Sequence, residues 1–249
     1  MISLRDITQI FDNGIERNHV LKSLNLDVPE GQFVTLIGGN GAGKSTLLNI
    51  IDGNLRPTSG SILIDGKDIQ RTSHSQRAAL ISRVFQDPNT GVCPELTIAE
   101  NMSLANSKGK WPISQWALRK RDLAYFEERL AEFDLGLENM LRKKASLLSG
   151  GQRQLVTLLM ATLQKPELLL LDEHTAALDP RIAKQVMGIT KKLVTEHKIT
   201  TLMISHNMSD AIEYGDRLLM LHSGEIILDV SGEEKKALTP AELITRFES

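Results

Sequence analysis

The stretch FVTLIGGNGAGKSTLLNII, residues 33 to 51, constrains the folding of this chain more than any other. A short run of buried-strand character, FVTLI, meets a glycine-rich turn and then an apolar helical run, LLNII. Glycine is costly inside regular structure and useful where backbone must approach something closely. The turn therefore reads as a connection between a strand and a helix whose backbone N–H groups face an anion. Strand, GxxxxGK[ST] and helix in that order form the pattern of a phosphate loop. Gly38, Gly39, Asn40, Gly41, Ala42, Gly43, Lys44, Ser45 and Thr46 are its expected phosphate-holding residues. In such a loop Lys44 bridges the β- and γ-phosphates and the Ser45 hydroxyl binds Mg²⁺.

Around this loop the pattern is that of an α/β protein. Leu24, Leu26 and Val28 alternate with polar residues, and SILIDGKDI (61–69) places Asp65-Gly66 between apolar flanks, the sign of a hairpin. The middle of the chain turns helical. Thr97 and Glu100 have capping-box spacing, and Leu123, Phe126, Leu130 and Phe133 recur at helical intervals, with NSKGKWP (106–112) as a loop between the two. ELLLLD (167–172) and ITTLMIS (199–205) are continuous apolar runs, as expected of parallel strands buried on both faces. TPAE (239–242) opens a last helix with Pro240 at its first position. A helical segment, roughly 95–165, thus interrupts an α/β core.

Two further stretches carry chemistry. The strand ELLLLD ends in Asp172, followed by Glu173. An acid at that place reaches a metal beside a phosphate loop, directly or through water, which suits Asp172. Glu173 is placed to orient or deprotonate an attacking water, typically worth ~10²–10⁴ in rate. Taken alone, the pair would also serve as a strand-end cap for the next helix. SLLSGGQRQ (146–154) sets two adjacent glycines before the apolar run LVTLLMATL. With Ser149 it makes a second helix start rich in free N–H groups, in a chain that already has one phosphate loop.

Phosphate loop, LSGGQ ahead of an apolar helix, and a strand ending in DE resemble, in order and spacing, the ATP-binding cassette (ABC) ATPases, over essentially all 249 residues. The resemblance implies an α/β fold: a P-loop NTPase core with a mostly parallel sheet, an N-terminal antiparallel β subdomain and an inserted α-helical subdomain. It implies one domain over 1–249, with 1–94 and 166–249 as nucleotide-binding core and 95–165 as the helical insertion carrying LSGGQ. In that family LSGGQ closes on the γ-phosphate held by the other subunit of a head-to-tail dimer. Ser149, Gly150, Gly151 and Gln152 would do this here. Gln86, in RVFQDP, matches a glutamine touching metal and attacking water. His206 matches a γ-phosphate contact, Asp179 a link between the two active sites, and Phe11 an adenine-stacking aromatic with Val20 nearby. Phe11 equally fits a core aromatic. The implied catalytic set is Glu173, His206, Gln86 and Lys44, and the implied Mg²⁺ set is Ser45, Gln86 and Asp172.

Leu155 and Met160 depart from the family pattern, standing where many relatives carry arginines. His174 stands where many have proline, either as a plain loop residue or as a titratable neighbour of the site. The segment after GEIILDV leaves no room for the C-terminal regulatory domain of some import ATPases. Cys93, Trp111 and Trp116 are expected to pack within the helical insertion.

Composition narrows the functions. Lys plus Arg (29) against Asp plus Glu (31) leaves −2, without the basic footprint of a nucleic-acid binder. One cysteine excludes an internal disulfide and a cysteine metal cluster. MISLRDITQ lacks the apolar core of a signal peptide, and no stretch approaches the ~18–20 apolar residues of a membrane span. The expectation is an ATP-binding and ATP-hydrolysing subunit at the cytoplasmic face of the cell membrane, soluble when isolated. ATP-driven closure of its homodimer on a separate membrane-embedded permease would power transport, in an importer of an amino-acid-like solute with an extracytoplasmic substrate-binding protein. The segment 87–97 would face the permease. The alternatives are a soluble ABC ATPase of a cytoplasmic assembly machine and the ATPase of a two-component exporter.

Overall fold

The computed structural model describes residues 1–107 and 120–248. Trp111, Trp116 and most of the 106–112 loop expectation lie outside them. A long hairpin, β1 (Ile2–Asp12) and β2 (Arg17–Val28), opens the chain, with β3 (Phe33–Gly38) and α1 (Lys44–Asp52) after it. β4 (Ser59–Ile64) and β5 (Lys67–Asp68) turn through Asp65 and Gly66, both at positive φ, as the Asp-Gly pair predicts. α2 (His74–Leu80) and β6 (Ile81–Val84) precede the helices α3 (Ile98–Asn106), α4 (Lys120–Ala131) and α5 (Gly150–Thr162). Then follow β7 (Leu168–Asp172), α6 (Pro180–Glu196), β8 (Thr201–Ile204), α7 (Met208–Glu213), β9 (Arg217–His222), β10 (Glu225–Ser231), α8 (Gly232–Ala237) and α9 (Pro240–Glu248). Among the described residues, no helix is long and apolar enough to cross a membrane.

Two sheets result. β2-β1-β4-β5 is antiparallel throughout; β10-β9-β3-β8-β7-β6 is parallel except for the β10/β9 pair. The continuous apolar runs are explained by what covers each face of the larger sheet. In β7, Leu169 and Leu171 join Phe126, Leu130, Leu155 and Leu158 of the helical segment, while Leu168 and Leu170 join Leu47, Leu48 and Ile51 of α1 and Ile2, Leu4 and Ile7 of the smaller sheet. The period-two alternation of a strand thus feeds two cores at once. Leu155 is fully inside the first core and Met160 packs against it, so the missing arginines of that helix are replaced by core packing. α3 starts at Thr97 with the expected reciprocal cap to Glu100. Cys93, expected to pack, is exposed.

Candidate nucleotide site

β3 runs into the phosphate loop and α1 leaves it. Gly43 is the N-cap of α1 at φ 105°, and a Cβ there would lie 2.8 Å from both the Val20 carbonyl and Leu21 Cδ2. No side chain fits, so the loop closes directly on β2. Lys44 is buried, and its Nζ donates to the carbonyls of Gly38 at 2.6 Å and Gly39 at 3.1 Å. Burial pulls its pKa down, while the charges of Glu173 and Asp172 oppose that shift. Ser45 stands exposed in the first turn of α1.

Asp172 is the last residue of β7, and its Oδ2 accepts from Arg83 Nη2 at 2.5 Å. Arg83 lies on β6, its Nη1 donating to Asp52 Oδ2 at 2.5 Å and Asn49 Oδ1 at 2.8 Å on α1, with its guanidinium 4.8 Å from the centre of the Phe85 ring. Nothing in the sequence pattern drew attention to this arginine; the only available signal was a lone cation in an apolar strand. Glu173 follows at φ 46°, its N–H donating to Ile204 at 3.2 Å. Its Oε2 lies 3.5 Å from Nδ1 of His206, two residues beyond β8. Glu173 and His206 line a cleft of about 410 Å³ together with Asn207 and Asp210. The left-handed backbone at a non-glycine residue is a local strain of ~1–3 kcal/mol, of the kind that collects at functional sites. Lys44, Asp172, Glu173 and His206 therefore gather past the C-terminal ends of β3, β7 and β8, where open α/β sheets hold their ligands. Gln86 is exposed two residues past β6, at that same end.

The remaining residues divide. Ser149 caps α5: its Oγ accepts from Gln152 N–H at 3.3 Å, and Gln152 Oε1 accepts from Ser149 N–H at 3.0 Å. Ser149 and Gly150 are exposed, and Gly151 is buried against Ile182 of α6. Asp179 caps α6 by accepting from Arg181 N–H at 2.9 Å. Phe11 is 45% exposed near the tip of the β1/β2 hairpin, so it is no core aromatic; Val20, half-buried, abuts the phosphate loop through its carbonyl. His174 sits in the turn after β7 and lines the same cleft as Glu173 and His206, but it is fully buried, its Nε2 3.1 Å from Thr190 Oγ1, whose hydroxyl donates to Val186. Burial pushes its pKa down to about 4, so it is a neutral packing residue.

A strand-to-loop-to-helix phosphate cradle with acids at the neighbouring strand end defines a nucleotide-hydrolysing α/β cassette. Residues 21–176 match the family described as ABC transporter, and the chain belongs to that family. It is 45% identical, over all of its own length and 99% of the other, to the tyrosine transport ATP-binding protein of Clostridioides difficile (strain R20291). It is 37% identical to the phosphonates import ATP-binding protein PhnC 1 of Ruegeria sp. (strain TM1040), covering 99% of this chain and 94% of that one. Among solved structures it is similar to the cassette MJ0796, dimeric and bound to ADP and Pi in a post-hydrolysis state: TM-score 0.77, 33% identity, 93% of this chain and 98% of that one. With cbiO1 of Clostridium perfringens, part of the transporter complex cbiONQ, the TM-score is 0.79 at 27% identity, covering 98% and 93%. The chain is an ATP-binding, ATP-hydrolysing transport subunit with the ABC cassette fold.

Proposed function

We propose that this chain binds MgATP at residues 38–46 and hydrolyses it within a homodimer seated on a membrane-embedded permease, importing an amino-acid-like solute delivered by an extracytoplasmic binding protein. The observation that carries the reading is the convergence of Lys44, Asp172, Glu173 and His206 at one sheet end. The loop N–H groups and the α1 N-terminus receive the phosphates, and Lys44 Nζ leaves the Gly38 and Gly39 carbonyls to meet the β- and γ-oxygens. The donor set fits Mg²⁺: one carboxylate, Asp172, and one hydroxyl, Ser45, with Gln86 in reach of the same end, suit an ion that keeps waters and takes phosphate oxygens. Among the described residues there is no cluster of three or more His, Cys, Asp or Glu to favour another metal. An Mg²⁺ held by these residues would supply neutralisation of phosphate charge. Glu173 takes the proton of the water whose oxygen attacks the γ-phosphorus as the bond to the ADP oxygen breaks, and His206 contacts the γ-oxygens.

Phe11 offers the adenine an exposed ring, with Val20 beside the loop. The second cap, Ser149–Gln152, serves the partner's γ-phosphate. Among the described residues Ser149 Oγ serves only as an acceptor, so its proton is available to an anion, and so is the Gln152 side-chain amide nitrogen. Asp179 links the two sites across the dimer, residues 95–165 act as the helical arm that carries the cap, and 87–97 meet the permease. The full-length likeness to a protein named for tyrosine transport supports the solute class, and docking on the permease sets the location at the cytoplasmic membrane face. ATP binds the closed dimer better than the open one and so shifts the population towards closure. Calorimetry with MgATP, and size exclusion of Glu173→Gln with and without ATP, test this. Binding with an ATP-dependent doubling of mass is expected; folded protein that takes up no nucleotide at millimolar MgATP overturns it.

A further inference from the structure

The two proposed metal donors belong to different elements, Ser45 to α1 and Asp172 to the end of β7, and one side chain spans the gap between those elements. Arg83 reaches from β6 to both. Its Nη1 is fixed by Asp52 Oδ2 and Asn49 Oδ1 in the second half of α1, and its Nη2 then meets Asp172 Oδ2 at 2.5 Å. All three charged side chains are largely buried: 10% exposed for Arg83, 9% for Asp52 and 18% for Asp172. Stability alone explains the arrangement poorly. Buried ion pairs are often matched or bettered by apolar side chains of similar size, and the Arg83 Nε is buried without a hydrogen-bond partner among the described residues. Rigid geometry is what remains, because a planar guanidinium held at one nitrogen dictates where the carboxylate at its other nitrogen sits.

We propose that Arg83 is a positioning residue for metal binding: it registers the Asp172 carboxylate against the helix that carries Ser45, keeping Oδ2 engaged and presenting Oδ1 to the Mg²⁺ of bound MgATP. The proposal rests on the reading of Asp172 and Ser45 given above. Mg²⁺ demands near-ideal octahedral placement of its ligands, and loss of a partner that orients a ligating carboxylate typically lowers metal affinity ~10–100-fold.

The test is equilibrium binding of ATP to the full chain in EDTA and in excess Mg²⁺. Arg83→Met, which keeps an unbranched stem and loses the guanidinium, is expected to hold ATP in EDTA within about twofold of wild type and to weaken MgATP roughly 10–100-fold. Asp52→Asn, remote from the metal side, should weaken MgATP less and in the same sense. The Asp52→Asn/Arg83→Met double variant should be no weaker than Arg83→Met alone, since the aspartate acts through the arginine. If Arg83→Met does not fold, Arg83→Lys carries the same comparison, because it keeps the charge and loses the fork. Asp172→Asn separates the two levels. If it leaves MgATP affinity untouched, the metal role of Asp172 fails. If it weakens MgATP while the Arg83 variants do not, or weaken ATP equally in EDTA, the positioning role is overturned. Additivity of Asp52→Asn with Arg83→Met overturns it as well.

Discussion

Two glycine-bearing helix starts, at 38–46 and at 149–152, differ in what requires their glycines. At Gly38 and Gly43 of the phosphate loop the answer is this chain's own backbone, whereas a Cβ on Gly39 would meet nothing within 4 Å. A Cβ on Gly38 would lie 2.5 Å from the Leu221 carbonyl, and one on Gly43 would lie 2.8 Å from the Val20 carbonyl. At the second start Gly151 is likewise barred, by Ile182, but Gly150 is not: the nearest atom to its Cβ would be Leu178 Cδ2 at an ordinary 3.6 Å. Glycine is a poorer helix former than alanine, and among the described residues no close contact requires it at position 150. The first turn is a cradle completed by its own fold. The second leaves Gly150 open, as the proposed contact with a partner's nucleotide requires.

The sharpest way to break that contrast is to disable each turn separately and then mix. Lys44→Ala and Ser149→Arg are each expected to lose nearly all hydrolysis, the first by losing phosphate binding and the second by filling the place of a partner's γ-phosphate. A mixed dimer holds one site with both lesions and one with neither, so phosphate release should partly return on mixing. No recovery, although mixed dimers are shown to form, would return the second turn to its own chain. Next in size is Glu173→Gln, expected to lower kcat ~10²–10⁴-fold while ATP affinity moves only a few-fold. Single-turnover kinetics with a separate binding measurement decide it, and retained turnover removes Glu173 as the base.

Smaller effects sharpen the comparison through stability. Denaturant unfolding should show Gly43→Ala weaker than wild type by ~1–3 kcal/mol, from positive φ and a backbone collision. Gly150→Ala should stay within ~1 kcal/mol of wild type, or above it, while ATP hydrolysis falls. Equal losses at the two sites would erase the distinction. Least visible at neutral pH is His174. Its folded pKa of about 4 lies below the unfolded value near 6.5, so between those values the unfolded chain binds a proton that the native chain refuses. Stability should therefore be level above pH ~6.5 and fall as the pH drops towards 4, by up to ~1.4 kcal/mol per pH unit. His174→Leu should flatten that slope and leave turnover at neutral pH within about twofold; an unchanged slope would mean the imidazole is not the sensor.

What was legible in the sequence was local. The phosphate loop, the Asp65-Gly66 hairpin, the Thr97 and Ser149 caps and the acids closing β7 are each written within a few consecutive residues, at spacings set by one turn or one strand. β1 shows no clean alternation in the sequence, because its pairings with β2 and β4 carry register shifts. Arg83 does not stand out because Asp52 and Asp172 are 31 and 89 residues away along the chain, and only the stacking of β6, β7 and α1 joins them. The burial of His174 is likewise non-local, in packing that pairs it with Thr190, 16 residues on in α6. Cys93 is exposed while its backbone is held by the Asn101 side chain of α3.

The left-handed backbone at Glu173 sets heat tolerance against catalysis at a single codon. Glycine would adopt that conformation without penalty, releasing ~1 kcal/mol or more of tension. A screen that rewarded thermal endurance alone would thus be drawn to the residue proposed as the base. Any effort to harden this cassette must shield position 173 and seek its gains elsewhere.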